Sequence, residues 1–597
     1  MNVSKRANLG DFTTNPRSLL RMSAFAVLLG LVSACVTKAL LWLIGVITNV
    51  LYFHRFAAAL VQPDPHRTGP WAILIPVAGG IAVGLIARYG SEKIRGHGIP
   101  EAIQAILQRD SIVQARVAYL KPIASAITIG SGGPFGAEGP IIMSGGAIGS
   151  LFAQFIRLTS IERRTLLVCG AAAGMSATFA APIASVLIAV ELLLFEWKPR
   201  SFIPVAVASF VADQFRNTLI GPNPPFLVAH PHSIHAGAFG WAAIVGLGGG
   251  IVSAIMTRLV YAAEDAYERL PLHWMWWPAI GGVIVGIGGW FVPQALGVGY
   301  ATIDGMLNGQ LAIGVIAGII TVKIVIWIAA LSSGTSGGVL APLLMIGGAM
   351  GSLLAVAIPG HDSMVWSVVG MAAIMGGTMR APFMATLFAL ETTHTWGLLP
   401  AVFIGCVTAT AFTVIFVPRS ILTEKLARRG MHVAREYSVH PLELIPVTDV
   451  MIARDRLVTL DANATIAQVT QRLVHLDPHL HYQEYPIVNA DGSLAGFVSY
   501  SEILRRGNVE PEETRTLGAI AHKPASVQAN DRVNAALTIM STARSQSIAV
   551  YDESGTWCGV FTSADLLEAW RRGLAVENRR VRVRSVRRLG GRAPAVP

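Results

Sequence analysis

Glycine-rich turns that lead into proline-containing helix starts are the residues with the clearest chemical potential. Three such turns occur, at 96–100 (GHGIP), 136–140 (GAEGP) and 337–342 (GGVLAP). Glycine lets the backbone approach a bound group, and proline suits the first helical turn because the N–H that it lacks would be unpaired there. Helix starts offer free N–H groups and the positive end of the helix dipole. Together, the three turns predict a site that binds an anion without a formal positive charge.

Glu138 is an exceptional residue inside the second turn. It lies among Gly, Ala, Phe and Pro at a predicted helix start. An ionisable residue within a membrane segment is costly and therefore indicates function. A carboxylate at a helix start can occupy an anion site itself and leave when it is protonated, so we predict that Glu138 is a pH-dependent gate. The alternative is a capping carboxylate. The neighbouring glycines favour the gate, since they prepare an anion site rather than a packed cap.

The elements that must position these turns are membrane helices. The chain has 597 residues, of which 53% are hydrophobic and 14% are charged, whereas soluble domains average about 25% charged residues. More than half of the charged residues lie in 419–597, so a charge-poor body precedes an ordinary soluble tail. Apolar stretches long enough to cross a bilayer occupy Met22–Phe53, Trp71–Ala87, Phe239–Thr257, His273–Ile303, Gly305–Val322, Ile324–Gly360 and Thr392–Pro418.

These stretches predict a polytopic all-α membrane protein, and the charges at both ends of the chain indicate its orientation. Residues 1–16 are polar and basic and lack the features of a signal peptide, which predicts a cytoplasmic N-terminal segment. The net charge of +11 comes largely from arginines near the C-terminus. We expect 574–597 to be a disordered tail that meets anionic lipid rather than nucleic acid. We therefore expect an integral protein of a bacterial inner membrane, with both termini in the cytoplasm.

The membrane body contains an internal repeat. Nine of 14 positions are identical between Pro140–Ala153 and Pro342–Ala355, and ten of 22 between Gly170–Glu191 and Gly370–Glu391. Two ordered blocks at nearly one offset are hard to obtain by chance. Repeats in membrane proteins are typical of transporter folds with a site where the repeats meet. Hydropathy leaves open whether the two halves are inverted or parallel.

Metal and enzyme chemistry have little support in the sequence. The four cysteines show neither pairing nor metal spacing, and no nucleophile–base pair or phosphate loop is recognisable. Two histidine groups lack a carboxylate or cysteine at ligand spacing, so we expect loop histidines and no metal site. They comprise His230, His232 and His235, and His475, His479 and His481.

The three glycine-rich motifs, in this order and spacing, resemble those of the CLC family of chloride channels and chloride/proton exchangers. The resemblance covers about 17–430, with repeat halves at about 17–220 and 235–430. It implies an inverted repeat, a homodimer with one pore per subunit, chloride as the transported ion, and Glu138 as the gating glutamate. The anion-binding residues that it implies are the backbone N–H groups of Val339 and Leu340, with His97, Gly98 and Ile99 lining the central site.

Four positions depart from the family pattern. Ala137 replaces a basic residue before the gate, and His97 stands where many members have serine, as a hydrogen-bond donor, a titrating group or a structural residue. Leu422 occupies the place of a tyrosine that coordinates the central anion, so central binding should be altered. Leu192 replaces the inner glutamate that relays protons in exchangers, while the preceding Glu191 aligns with a neighbouring carboxylate of structural character.

The soluble tail repeats a strand–turn–strand–helix pattern, in 447–508 and in 517–573. The pattern resembles a pair of CBS domains, which often bind adenine nucleotides through Thr or Ser and Asp on the ribose. Thr562 and Asp565 fit, whereas the first unit has Ser499 with Glu502 in place of Asp. A purely structural dimerisation module is an equal alternative.

The sequence therefore favours chloride transport through a CLC-type pore, and the loss of the inner glutamate at Leu192 favours a passive channel. A chloride/proton antiporter is the alternative within the family. A membrane-anchored nucleotide sensor without conduction is the alternative from another class, and the helix starts around Glu138 argue against it.

Overall fold

The computed structural model describes residues 16–108, 111–228, 236–360, 362–431, 442, 445–474, 482–509, 515–543 and 545–578. The chain divides into two compact units, an N-terminal one and a second over Ser438–Arg579. Both histidine groups, the first 15 residues and the basic tail beyond 578 lie outside the described residues.

The N-terminal unit consists of helices. They are α1 Pro16–Phe53, α2 Pro65–Thr68, α3 Leu74–Tyr89, α4 Ile99–Gln108, α5 Ala115–Gly130, α6 Glu138–Gln154, α7 Ser160–Phe179, α8 Pro182–Ile188, α9 Pro199–Leu219, α10 Phe239–Glu268, α11 Trp277–Phe291, α12 Tyr300–Leu307, α13 Ile313–Ser332, α14 Leu340–Ala355, α15 Ser363–Met379, α16 Pro382–Thr393, α17 Leu399–Phe416 and α18 Ile421–Arg428.

Hydropathy and length identify membrane-crossing segments in this unit. Within the described ranges, five helical segments are long and apolar enough to cross a bilayer, and some shorter helices are equally apolar. The segments are Pro16–Phe53, Pro70–Tyr89, Phe239–Glu268, Ile313–Ser332 and Trp396–Arg428. The prediction of a polytopic helical membrane body is confirmed.

Several of the predicted apolar stretches contain a break between two helices. The stretch His273–Ile303 breaks between α11 and α12, where Gly297 and Gly299 adopt φ of 60° and 76°. The stretch Ile324–Gly360 breaks at the turn that separates α13 from α14. Averaged hydropathy cannot detect these breaks, because glycines with left-handed backbone are as apolar as the helices that they interrupt.

The internal repeat is visible in how neighbouring helices pack. In the first half, α6 meets α7 where Gly145 faces Gly170, and in the second half α14 meets α15 where Gly347 faces Gly370. At each crossing a side chain on either glycine would collide with the backbone of the other helix. Small residues allow such close approach of membrane helices. The halves therefore share the packing as well as the sequence.

The second unit contains strands and helices. They are β1 Ile452–Ala453, β2 Leu460–Asp461, α19 Ile466–Val474, β3 Glu484–Val488, β4 Leu494–Ser499, α20 Tyr500–Val509, α21 Leu517–Ile520, β5 Ser526–Gln528, α22 Val533–Ala543, β6 Ser547–Tyr551, β7 Trp557–Thr562 and α23 Ser563–Asn578. One sheet has the order β1-β7-β6-β5 and the other the order β2-β3-β4.

The two halves of this unit repeat one motif. In each, an antiparallel hairpin leads into a helix, β3-β4-α20 and β6-β7-α23, and a parallel strand flanks the hairpin. The hairpin turns are built alike, since Asp491 and Asp552 accept hydrogen bonds from the N–H groups of Ser493 and Ser554, both at 2.9 Å. The predicted strand–turn–strand–helix pattern is confirmed.

Candidate functional site

The carboxylate of Glu138 reaches across the repeat to the start of a second helix. Glu138 is the first residue of α6, and its Oε1 accepts a hydrogen bond of 3.0 Å from the N–H of Ala341 in the first turn of α14. The side chain is fully buried. The two residues lie 203 positions apart, so only the packing of one half against the other brings them together. The carboxylate occupies the position at which a helix start would bind an anion.

A reciprocal backbone contact holds the two helix starts side by side. The N–H of Gly338 donates to the carbonyl of Gly136 at 2.9 Å, and the N–H of Gly136 donates back at 3.4 Å. A side chain on Gly338 would collide with the carboxyl group of Glu138. The glycines of the two motifs are therefore needed so that backbone and carboxylate can share this space.

The third glycine-rich turn packs against the same place. The backbone of His97 lies against Gly139, and a side chain on Gly98, whose φ is 91°, would collide with the Gly139 carbonyl. The starts of α4, α6 and α14 therefore meet, as the sequence predicted. The N–H of Gly98 donates to Oε2 of Glu101 at 3.0 Å, so the start of α4 is capped by its own carboxylate.

The other predicted site residues are buried around this meeting point. His97 is 2% exposed, and its Nδ1 has no hydrogen-bond partner among the described residues. Ile99, Val339 and Leu340 are buried at the first positions of α4 and α14. Leu422 is fully buried on α18, which packs against α4.

Beyond α4 lies an open cavity of about 470 Å³ that contains charges of both signs. Arg429 pairs with Glu101 at 3.0 Å, and a side chain on Gly96 would meet the ammonium group of Lys425. Glu264 and Glu268 line the same cavity. The cations stand at the capped start of α4, where an anion could enter.

Two buried lysines belong to the site although the sequence analysis passed over them. Lys121 in α5 donates to the carbonyls of Ile94 and Gly96, at 2.7 and 2.5 Å. Lys323 in α13 donates to the carbonyls of Ala295 and Gly297, at 2.8 and 3.2 Å. Each lysine therefore anchors the loop that starts α4 or α12. The offset between the lysines matches that of the repeat, which is the signal that could have identified them.

Lys323 is also close enough to Glu138 for the two charges to interact. It interacts electrostatically with Glu138, and the hydroxyl of Tyr300 does so as well. Ala137 offers no basic group beside Glu138, and the buried Lys323 of α13 supplies one.

Glu191 and Glu391 are structural partners across the repeat. Glu191 accepts from the N–H of Met384 at 2.7 Å in the first turn of α16. Glu391 accepts from the N–H groups of Ile183 and Ala184, at 3.0 and 2.8 Å, in the first turn of α8. Each carboxylate thus satisfies the helix start of the other half. Leu192, which follows Glu191, is fully buried and offers no ionisable group.

The candidate nucleotide residues of the second unit serve as helix caps. Oδ2 of Asp565 accepts from both the N–H and the hydroxyl of Thr562, each at 2.8 Å, at the start of α23. The Ser499 hydroxyl accepts from the N–H of Glu502 at 3.1 Å, at the start of α20. Hydrogen bonds from Arg506 and Arg505 lower the pKa of Glu502. The Glu502 carboxylate is therefore bound by these two arginines.

Comparison with known proteins assigns both units. The profile of the family described as "Voltage gated chloride channel" matches residues 78–414. The profile of the CBS domain matches 447–508 and 517–572.

Curated relatives match the membrane body. The "Voltage-gated ClC-type chloride channel ClcB" of Escherichia coli O81 (strain ED1a) is 32% identical over 393 residues, which are 64% of this chain and 93% of that protein. Its counterpart in Citrobacter koseri (strain ATCC BAA-895 / CDC 4225-83 / SGSC4696) is 31% identical over 409 residues, which are 66% and 96%.

Solved structures share the fold. A slow cyanobacterial Cl-/H+ antiporter aligns with a TM-score of 0.62 and 22% identity, covering 70% of this chain and 99% of its own. A eukaryotic CLC transporter aligns with a TM-score of 0.60 and 18% identity over 92% of this chain and 98% of its own. With its matched profile, its relatives and its helix starts gathered around Glu138, this chain belongs to the voltage gated chloride channel family and carries a C-terminal pair of CBS domains.

Proposed function

We propose that the chain moves chloride across the membrane through the site at the starts of α4, α6 and α14, with Glu138 as its gate. The observation that carries this proposal is the hydrogen bond from the Ala341 N–H to the buried Glu138 carboxylate. A carboxylate held at a helix start mimics the anion that the same start would bind. Chloride and the carboxylate then compete for one position, and chloride enters when the side chain leaves.

The anion is bound by backbone N–H groups at the start of α14, those of Val339 and Leu340, and by the turn that contains His97, Gly98 and Ile99. His97 supports this assignment, because its buried Nδ1 has no partner among the described residues. Leu422 forms an apolar side of the central position. Weak binding by dipoles, without a direct cation ligand, suits an ion that must leave again.

Passive conduction is favoured over proton-coupled exchange by Leu192. A buried aliphatic residue there interrupts the route by which protons would reach Glu138 from the inner side. Exchange is the second candidate. The observation in its favour is the cavity beyond α4, where Glu264 and Glu268 could deliver protons by way of water.

Independent gradients distinguish the two candidates. The full chain, reconstituted in proteoliposomes, should release chloride down its gradient without moving protons uphill. Proton uptake at a fixed ratio to chloride would overturn the passive mechanism and support exchange. Glu138→Gln, which mimics the protonated gate, should remove most of the pH dependence of flux. An unchanged pH response in that variant would exclude Glu138 as the gate.

Further assignments extend this proposal. We propose a homodimer with one pore per subunit in a bacterial inner membrane, with both termini in the cytoplasm and with the CBS pair as a regulatory unit. Adenine nucleotide would bind near Ser499, Thr562 and Asp565. A structural role of the pair is the alternative, and the helix caps formed by these residues favour it. A non-conducting nucleotide sensor would show no chloride flux at all.

A further inference from the structure

Tyr300 is a partly buried residue whose hydroxyl group is shielded from solvent. It is the first residue of α12, and its ring packs edge-on against Phe226 and Phe179, with centroids 5.4 and 6.0 Å away. Its hydroxyl oxygen is shielded from solvent and has no hydrogen-bond partner among the described residues. Buried tyrosine hydroxyls usually find a partner, since leaving one unpaired is unfavourable. The Tyr300 hydroxyl is therefore available as a donor to a group that comes within its reach.

The gate carries the complementary unpaired atom. While Oε1 of Glu138 accepts from Ala341, Oε2 is buried and has no hydrogen-bond partner within the described part of the chain. The carboxylate and the Tyr300 hydroxyl interact electrostatically, although they are not hydrogen-bonded to each other. The helix that begins at Tyr300, α12, packs against α14, whose first turn binds Glu138. An unpaired donor and an unpaired acceptor therefore lie on neighbouring helices of one site.

The cations near this pair are anchored elsewhere. Lys323 from α13 faces Glu138, but its ammonium is held by the carbonyls of Ala295 and Gly297. Arg216 from α9 faces Tyr300, and its guanidinium is bound by the carbonyls of Gly221 and Asn223. Neither cation can follow a moving carboxylate without breaking these bonds, whereas the hydroxyl need only rotate.

We propose that Tyr300 is a positioning residue for the open gate: its hydroxyl receives the ionised Glu138 carboxylate after an anion has displaced it from the start of α14. The inference rests on the proposed role of Glu138. It adds that the gate can open while Glu138 is ionised, because the Tyr300 hydroxyl donates a hydrogen bond to the displaced carboxylate. Without this donor, opening requires a proton and becomes confined to acid pH.

The test is a double-mutant cycle in the full chain, with chloride efflux from proteoliposomes measured at neutral and at acid pH. Tyr300→Phe keeps the ring contacts with Phe179 and Phe226 and removes only the hydroxyl. Since a hydrogen bond to a charged group changes an equilibrium by about tenfold or more, the variant should lower efflux at neutral pH by about tenfold. Efflux at acid pH should stay near that of the unmodified chain. In a Glu138→Ala background, Tyr300→Phe should have no effect at either pH.

Tyr52→Phe is the matched control, because the Tyr52 hydroxyl is also buried but already has an acceptor, the carbonyl of Ser131 at 2.9 Å. It should leave the pH profile unchanged. Equal losses from Tyr300→Phe in both backgrounds would overturn the proposal, since the hydroxyl would then act on the anion or on the fold. No loss in either background would overturn it as well. Failure of the gate itself is recognised separately, by a Glu138→Ala chain that keeps the pH dependence of the unmodified protein.

Discussion

Two buried lysines in the membrane body have both a structural and an electrostatic role. Lys121 and Lys323 are fully buried and related by the repeat, and each donates to two carbonyls of a helix-starting loop. An uncompensated ammonium would be very unfavourable there. Their hydrogen bonds explain why charge is tolerated, and the proximity of Lys323 to Glu138 gives one of the two a further role.

Replacing each lysine by methionine should separate these roles. Both variants leave two buried carbonyls unpaired, at about 1–3 kcal/mol each, so both should lower the thermal unfolding temperature. Only Lys323→Met removes the cation that stabilises the ionised Glu138. As the pH is lowered, chloride efflux should therefore begin to rise at a higher pH in that variant than in the unmodified chain. Efflux measured across a pH series checks this. Lys121→Met serves as the control, and the same pH shift in both variants would refute a specific action of Lys323.

At the scale of the helix, the two halves of the repeat exchange caps. Glu191 follows the end of α8 and accepts from the first turn of α16, whereas Glu391 in the last turn of α16 accepts from the first turn of α8. Hydrogen bonds of backbone N–H groups to a carboxylate are stronger than those between neutral groups. The exchange ties α8 to α16, each from a different half.

Glu391→Gln should therefore destabilise the membrane body more than it alters transport. The change weakens two charge-assisted bonds to Ile183 and Ala184, with an expected loss of about 1–3 kcal/mol. Thermal unfolding of the purified protein measures this loss, while chloride flux should persist in the folded fraction. Glu424→Gln is the control, because its partners Arg419 and Arg428 are partly exposed and such pairs contribute at most about 1 kcal/mol. Equal shifts in the two variants would contradict a capping role.

At the scale of the whole molecule, two units with separate hydrophobic cores share one chain. The core of the membrane body contains helices only, whereas the second unit has its own clusters around Ile548 and Ile487. The curated relatives match about the length of the body alone. Transport and its regulation are thus expected to reside in different units.

A chain that ends at Tyr437 should accordingly retain chloride flux in proteoliposomes. If the second unit binds adenine nucleotide, ATP, ADP or AMP should raise the thermal unfolding temperature of the full chain by mass action, and the shortened chain should not respond. A response of both chains would place the nucleotide site outside the CBS pair. A folded but inactive shortened chain would mean that the second unit takes part in conduction.

The amino-acid sequence alone determined the membrane class, the repeat, the CBS motif and the three helix starts. Each depends on local composition, on glycine and proline at turns, or on a comparison of one stretch with another. Glu138 was identifiable because a single carboxylate among apolar residues stands out whatever its partner is.

Only the tertiary structure decided what these residues contact. The donor to Glu138 is Ala341, the caps of α8 and α16 come from the opposite half, and Tyr300 interacts electrostatically with Glu138. Such contacts join residues far apart along the chain, so their formation depends on how the two halves pack. Local sequence preference carries no information about that packing. It is determined by the free energy of burying polar groups in an apolar body, which favours arrangements that pair most of them with groups from the other half.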